Sequence, residues 1–187
     1  MTPEPRPRPL VGMARIARGR IDGLTLFGDT PQAFLSSLAP LLAFPLVGAL
    51  MLLSSSGTSR AVLTLLVTLV AQLAPPVLSH ALARAWGREH LWLRYATAFN
   101  WCQWALPLAA MALLIVLQIG MAAGLAGPVA DLLLLFGIAG YGLWLNWLLA
   151  RHGLELSAGW AAGLVALVNI GTIVLALGPR LLLNLLR

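Results

Sequence analysis

The chain has 187 residues, of which 60% are hydrophobic and 10% charged, with a mean hydropathy of +0.89. That excludes an ordinary soluble domain. The net charge of +6 comes from twelve arginines and no lysine, and because they flank apolar runs they argue for membrane orientation and against a nucleic-acid partner. Together with the richness in Ala, Leu, Gly and Pro, this usage suggests a bacterial gene of high G+C content.

Residues 1–9 (MTPEPRPRP) alternate proline with charge and favour extended, polyproline-like backbone. Leu10, Ala14, Ala17 and Ile21 follow at helical spacing, with Arg15 and Arg18 between them. Two readings stay open for this stretch: a short basic helix on an anionic membrane surface, or a disordered basic tail. Residues 1–31 as a whole are expected to form a cytoplasmic Pro/Arg-rich tail. Asp29 or Thr30 is expected to cap the helix that starts at Pro31.

Five apolar runs then occupy about 32–53, 61–83, 95–118, 129–150 and 157–177. A helix of about 22 residues rises roughly 33 Å, enough for the ~30 Å hydrocarbon core of a bilayer. Lipid offers no partner to exposed backbone, so such runs cross as helices. The predicted fold is all-α: a polytopic membrane helical bundle with five transmembrane helices over 32–178, followed by a short outer tail, 179–187. The first run is too long for a signal h-region and is read as a retained span.

The loops alternate in charge. Arg6, Arg8, Arg15, Arg18 and Arg20 precede the first span, Arg84, Arg88 and Arg94 follow the second, and Arg151 follows the fourth. The other side holds only Arg60, Arg180 and Arg187. Nine arginines against three predict a cytoplasmic N-terminus and a periplasmic C-terminus in a bacterial inner membrane. Trp86, Trp92, Tyr95, Trp101 and Trp104 cluster near the same side, as rings at headgroup depth do.

Within the spans, prolines are expected to kink the helices: Pro40 and Pro45 in the first, Pro75 and Pro76 in the second, Pro107 in the third. Among the carbonyls they free are those of Ser36, Gln72 and Gln103. Thr64, Thr68 and Gln72 form a polar stripe at i,i+4 spacing, which Asn146 and Asn169 can extend across the interior. Three uses stay open for these residues: polar glue between kinked helices, a small-solute pathway, or a partner-binding groove. Gly153 is expected in the left-handed position after the fourth span, with Ser157 capping the fifth. Gly159 and Gly163 form a GxxxG pair for close helix packing, either within the chain or across a homodimer face.

Chemistry-bearing groups are sparse. Asp131 is the one acidic residue inside a span and lies near its end, where a helix N-terminus favours a carboxylate. His80, His90 and His152 fall at helix ends without metal-ligand spacing, Cys102 is the sole cysteine, and nucleotide, hydrolase and zinc motifs are missing. No enzyme activity, cofactor or metal is expected.

Phe27-Gly28-Asp29-Thr30-Pro31 before the first span, Phe99-Asn100-Trp101 opening the third, and Gly140-Tyr141-Gly142 in the fourth carry a family resemblance. So does the run from Tyr141 to Arg151, with Leu154 and Ser157 after it. Over about residues 25–178 the chain resembles the bacterial branch of the Yip (Ypt-interacting protein) domain family. The resemblance implies a five-span topology. Eukaryotic members carry an Asp-Leu-Tyr-Gly-Pro motif before the first span and are associated with Rab GTPases; the motif is absent here, so no residue role carries over.

The leading expectation is a non-enzymatic integral protein acting as a scaffold or membrane organiser. The alternative is a small permease or an accessory subunit of a transport complex. Expected partners are the bilayer, anionic lipids at the cytoplasmic surface, and a membrane protein or second copy of the chain. A water-accessible cavity reaching Gln72 and Asn169 would separate the two functions.

Overall fold

The structure is a computed structural model that describes residues 7–56 and 58–185. The described residues hold seven α-helices, one 3₁₀ helix and no strand, and five spans are long and apolar enough to cross a membrane. These are Pro31–Leu53, Val62–Ala85, Glu89–Ala122, Gly127–Gly153 and Ala158–Gly178, each within a few residues of the expected run except at the start of the third. Their outward side chains, such as Leu50, Met111, Phe136 and Val174, are exposed apolar groups that only lipid would satisfy.

Helix α1 (Pro9–Ile16) begins on a proline, whose missing N–H would be unpaired there anyway, and ends beside Arg15. Its inward residues are Gly12 and Ile16, while Leu10 and Ile21 of the expected apolar stripe are exposed. The chain reverses at Gly19 (φ 79°) into the 3₁₀ helix Ile21–Leu26, where Asp22 accepts from Arg15 (2.9 Å) and Arg20 (3.1 Å). The hairpin is tight: a Cβ on Gly23 would stand 2.7 Å from the Gly12 carbonyl oxygen.

This hairpin is neither a disordered tail nor an isolated surface helix. Ile16, Leu24 and Phe27 join the main hydrophobic core, and Tyr141 donates its hydroxyl proton to the Ala17 carbonyl at 3.0 Å. Buried apolar contact supplies what composition alone did not show. Residues 1–6 of the expected tail lie outside the described residues.

Helix α2 (Pro31–Ser56) starts as expected, with Thr30 Oγ1 accepting from the Ala33 N–H at 3.2 Å. Helix α3 spans Thr58–Ala85. Both run on through their prolines, Pro40 and Pro45 in α2 and Pro75 and Pro76 in α3, so these positions do not break their helices. Pro107 behaves differently. The third span divides into α4 (Glu89–Cys102) and α5 (Ala105–Ala122), joined by Gln103 and Trp104. At the junction, bonds close over three residues, Trp104 N to Trp101 O and Leu106 N to Gln103 O. Pro107 is then the third residue of a new helix, where no intrahelical donor is needed. Taken straight, the 34 residues would rise about 51 Å, well beyond the bilayer core.

Helix α6 (Gly127–Gly153) and α7 (Ala158–Leu185) form the expected antiparallel hairpin. Trp147 Nε1 donates to the Ala158 carbonyl at 3.1 Å, and the Arg151 guanidinium sits over the Trp147 ring. The left-handed residue of the turn is Glu155 (φ 52°), not Gly153. Gly153 instead stays helical and lets α4 approach, since a Cβ there would lie 3.1 Å from the Tyr95 ring. Helix α7 also runs to Leu185, so most of the expected outer tail is helical.

Helices α2, α3, α7, α6 and α5 contact one another in that order, and α4 packs inside them against α1, α2, α3 and α6. At one end Trp86 meets Trp160, with centroids 4.9 Å apart, and Arg88 approaches Glu155 at 3.8 Å. This arginine-rich end also holds α1 and most of the core, including Tyr95, Ala98, Leu149, Leu154 and Ala161. Tyr95, expected at headgroup depth, is 2% exposed because α4 lies inside the bundle.

Candidate functional site

Where α4 ends, the interior opens. A cavity of about 590 Å³ lies near the middle of the spans, and all five of them contribute to its wall. Its polar lining is Gln72 from α3, Tyr95 and Asn100 from α4, Gln103 from the α4–α5 junction, Asn146 from α6, and Asn169 and Thr172 from α7. Leu41, Phe99, Ile138 and Val168 are among the apolar residues between them. Five carboxamides converge on one space, and among the described residues no carboxylate, ammonium, guanidinium or imidazole lines it.

Three of the expected polar residues, Gln72, Asn146 and Asn169, therefore meet at one site. Thr64 and Thr68 line a smaller cavity of about 280 Å³ between α2 and α3, which shares Gln72 with the central one. The stripe thus leads from the Arg60 end of α3 toward the middle of the bundle. Asp131 is exposed and lines a cleft between α5 and α6, which shares Ile138 and Ala139 with the central cavity.

Asn100 and Gln103, like Tyr95 and Thr172, are cavity residues that the polar-stripe pattern misses. With the third span begun at Tyr95, they read as residues near headgroup depth. The signal was the freed Gln103 carbonyl before Pro107, which marks the point where α4 stops and the interior widens.

Asn100 is 1% exposed and its amide is held in one orientation. Ser37 Oγ, itself fully buried, donates its only proton to the Phe34 carbonyl at 2.6 Å. Ser37 can then only accept, so Asn100 must face it with Nδ2, at 2.9 Å. Asn100 Oδ1 is left buried with no hydrogen-bond partner. The bond joins α2 to α4, as does a tilted contact between Phe34 and Trp92, while Trp92 Nε1 reaches Ser79 of α3 at 3.2 Å.

Asn169 and Thr172 direct protons into their own helix. Asn169 Nδ2 donates to the Val165 carbonyl at 2.7 Å, and Thr172 Oγ1 to the Val168 carbonyl at 2.7 Å. Thr68 does the same to Thr64 at 2.8 Å.

Gly159 and Gly163 do not pack a helix within the chain: a Cβ at either would meet nothing within 4 Å. The buried face of α7 is Ala161, Leu164, Val165 and Val168, and the glycines lie opposite it on the wheel. Among the described residues no group of three His, Cys, Asp or Glu side chains is placed to hold a metal.

Comparison of the chain with protein-family models, with curated proteins and with solved structures finds no match.

Proposed function

We propose that the protein is a non-enzymatic membrane protein that admits a small polar solute to its central cavity, a small permease or an accessory subunit of a transport complex. One observation carries this reading: among the described residues, five carboxamides and no carboxylate, ammonium, guanidinium or imidazole surround about 590 Å³ at mid-span. Ligand sites are concave, mostly apolar spaces with a few converging polar groups, and volumes of roughly 300–1,000 Å³ are usual. A scaffold that used these residues only as glue would bring them into contact across a closed interior. Here space separates them, which supports the solute pathway over the scaffold. The absence of a mid-span charge argues for passive passage of an uncharged solute, not ion-coupled uptake.

We further infer, from the arginine tally, that the arginine-rich end faces the cytoplasm of a bacterial inner membrane. The resemblance to the Yip family is retained as a proposal about descent; five of its residues, Phe99, Asn100, Gly142, Leu143 and Asn146, line the cavity.

The test is solute entry into proteoliposomes holding the full chain, followed by stopped-flow light scattering with small neutral amides and polyols. Entry should exceed that of protein-free vesicles without a pH or sodium gradient, and should fall to background in the Asn146→Leu/Asn169→Leu variant. Rates equal to protein-free vesicles for every solute would refute the proposal.

A further inference from the structure

The N-terminal hairpin packs on the flank of the bundle and not on its end. Tyr141 donates to the Ala17 carbonyl, and a Cβ on Gly19 would stand 3.5 Å from the Trp144 ring. Helix α6 has 27 residues and rises about 40 Å, so taken upright it outreaches the ~30 Å hydrocarbon core by about 10 Å. Tyr141 lies about 18 Å down that helix from Gly153, its last residue at the arginine-rich end. Even with the whole excess emerging at that end, Tyr141 sits about 8 Å inside the apolar layer. The hairpin bonded to it therefore lies at the boundary between headgroups and acyl chains. Its outward side suits that depth. Leu10, Val11 and Ile21 are 63%, 45% and 48% exposed, whereas Gly12 and Ile16 on the other side of α1 are buried. Arg8, Arg18 and Arg20 flank them in the chain and are exposed. Among the described residues Arg8 and Arg18 meet no carboxylate, and Arg20 shares Asp22 with Arg15.

We propose that this hairpin is an interfacial anchor for anionic phospholipids. Leu10, Val11 and Ile21 enter the acyl boundary, and Arg8, Arg18 and Arg20 meet lipid phosphates above it, as basic amphipathic helices do on anionic leaflets. Charge complementarity selects this occupant. Residues 7–30 carry four arginines against Asp22 and Asp29, and Arg84, Arg88, Arg94 and Arg151 belong to the same end. An acidic soluble protein would satisfy the arginines but would not reach apolar side chains at the depth of the acyl boundary. Ile16, Leu24 and Phe27 hold the hairpin to the core from behind, so lipid meets a surface that is already folded. The anchor is independent of the central cavity and of any solute in it.

The full-length chain carrying Leu10→Cys is labelled with bimane; Cys102 is 1% exposed and stays unlabelled, with unsubstituted protein as the blank. The labelled protein is reconstituted in equimolar phosphatidylcholine and phosphatidylglycerol vesicles, in which one lipid or the other carries brominated acyl chains. Bromine quenches the probe by contact. Both lipids should quench, brominated phosphatidylglycerol more than brominated phosphatidylcholine, and added salt should narrow the difference. Arg8→Gln/Arg18→Gln should abolish the difference while quenching by both lipids persists. If Leu10→Cys does not fold, Ile21→Cys bears the probe instead. Absence of quenching by either lipid overturns the anchor and leaves the face to water or to a protein. Equal quenching by the two, or a difference that salt and the double variant leave unchanged, overturns recognition of anionic lipid.

Discussion

The bond between Ser37 and Asn100 gives a prediction in which a second mutation repairs the first. Ser37→Ala removes the acceptor that Asn100 Nδ2 meets among the described residues. The amide is then buried with neither its N–H nor its Oδ1 paired, in a position that is 1% exposed. Such a loss costs about 1–3 kcal/mol in general, and interhelical bonds measured in membranes average roughly 0.6 with a maximum near 1.7. Ser37→Ala should therefore lower stability by about 1–2 kcal/mol. Adding Asn100→Leu replaces the stranded amide with an apolar group of similar length. When both partners become apolar the exchange is close to neutral. The double variant should recover most of the loss and be more stable than Ser37→Ala alone. Reversible unfolding by SDS titration in mixed micelles measures all three free energies on one scale. A double variant less stable than the Ser37→Ala single would refute the assigned amide orientation and the orphaned acceptor, because the two losses would then simply add.

Two further outcomes follow from packing at the arginine-rich end and on α7. Gly153→Ala should destabilise by about 1–3 kcal/mol, because its Cβ would press on the Tyr95 ring and Cβ at 3.1 and 3.2 Å, whereas Gly163→Ala, with nothing within 4 Å, should be neutral or slightly stabilising in the same unfolding assay. Tyr141→Phe deletes the bond to the Ala17 carbonyl, worth about 0.5–1.5 kcal/mol, and should raise hydrogen exchange over residues 9–26 without altering α3 or α7; unchanged exchange there would mean that apolar contact alone holds the hairpin.

The spans were legible because run length is a direct physical constraint, and each of the five was found within a few residues except the third. That exception is instructive. Trp86, Trp92, Tyr95, Trp101 and Trp104 look like an interfacial belt in composition, yet Tyr95 is buried, because α4 is enclosed by its neighbours and periodicity does not report what lies around a helix. Gln72, Asn146 and Asn169 stood out as polar residues in apolar helices. Asn100 did not, since its depth depends on the break before Pro107. The GxxxG pair does not pack a helix within the chain, for a related reason. Small residues permit close approach but do not attract a partner, and the larger Leu164, Val165 and Val168 determined which face of α7 turned inward.

The two halves of the bundle differ in a way that bears on passage. Toward the arginine-rich end, Tyr95, Leu145, Leu149, Leu154 and Ala161 are nearly inaccessible and form continuous packing with Ile16 of the N-terminal hairpin. Toward the opposite end the cavity adjoins two clefts, one past Gln72 to Thr68 and Thr64, the other past Ile138 and Ala139 to Asp131. The central space therefore adjoins clefts on the Arg60 side and continuous packing on the other. Helix α4 lies within that packing. It is 14 residues long, is separated from α5 by a three-residue hydrogen-bond reset, and is tied to α2 and α3 by Asn100–Ser37 and Trp92–Ser79. On the proposed solute reading, passage toward the arginine-rich end would require α4 to move, and the break before Pro107 is where that movement would cost the fewest backbone hydrogen bonds. The bond that orients the Asn100 amide also ties α4 to α2, so on that reading the amide orientation and the position of α4 would depend on the same pair of side chains.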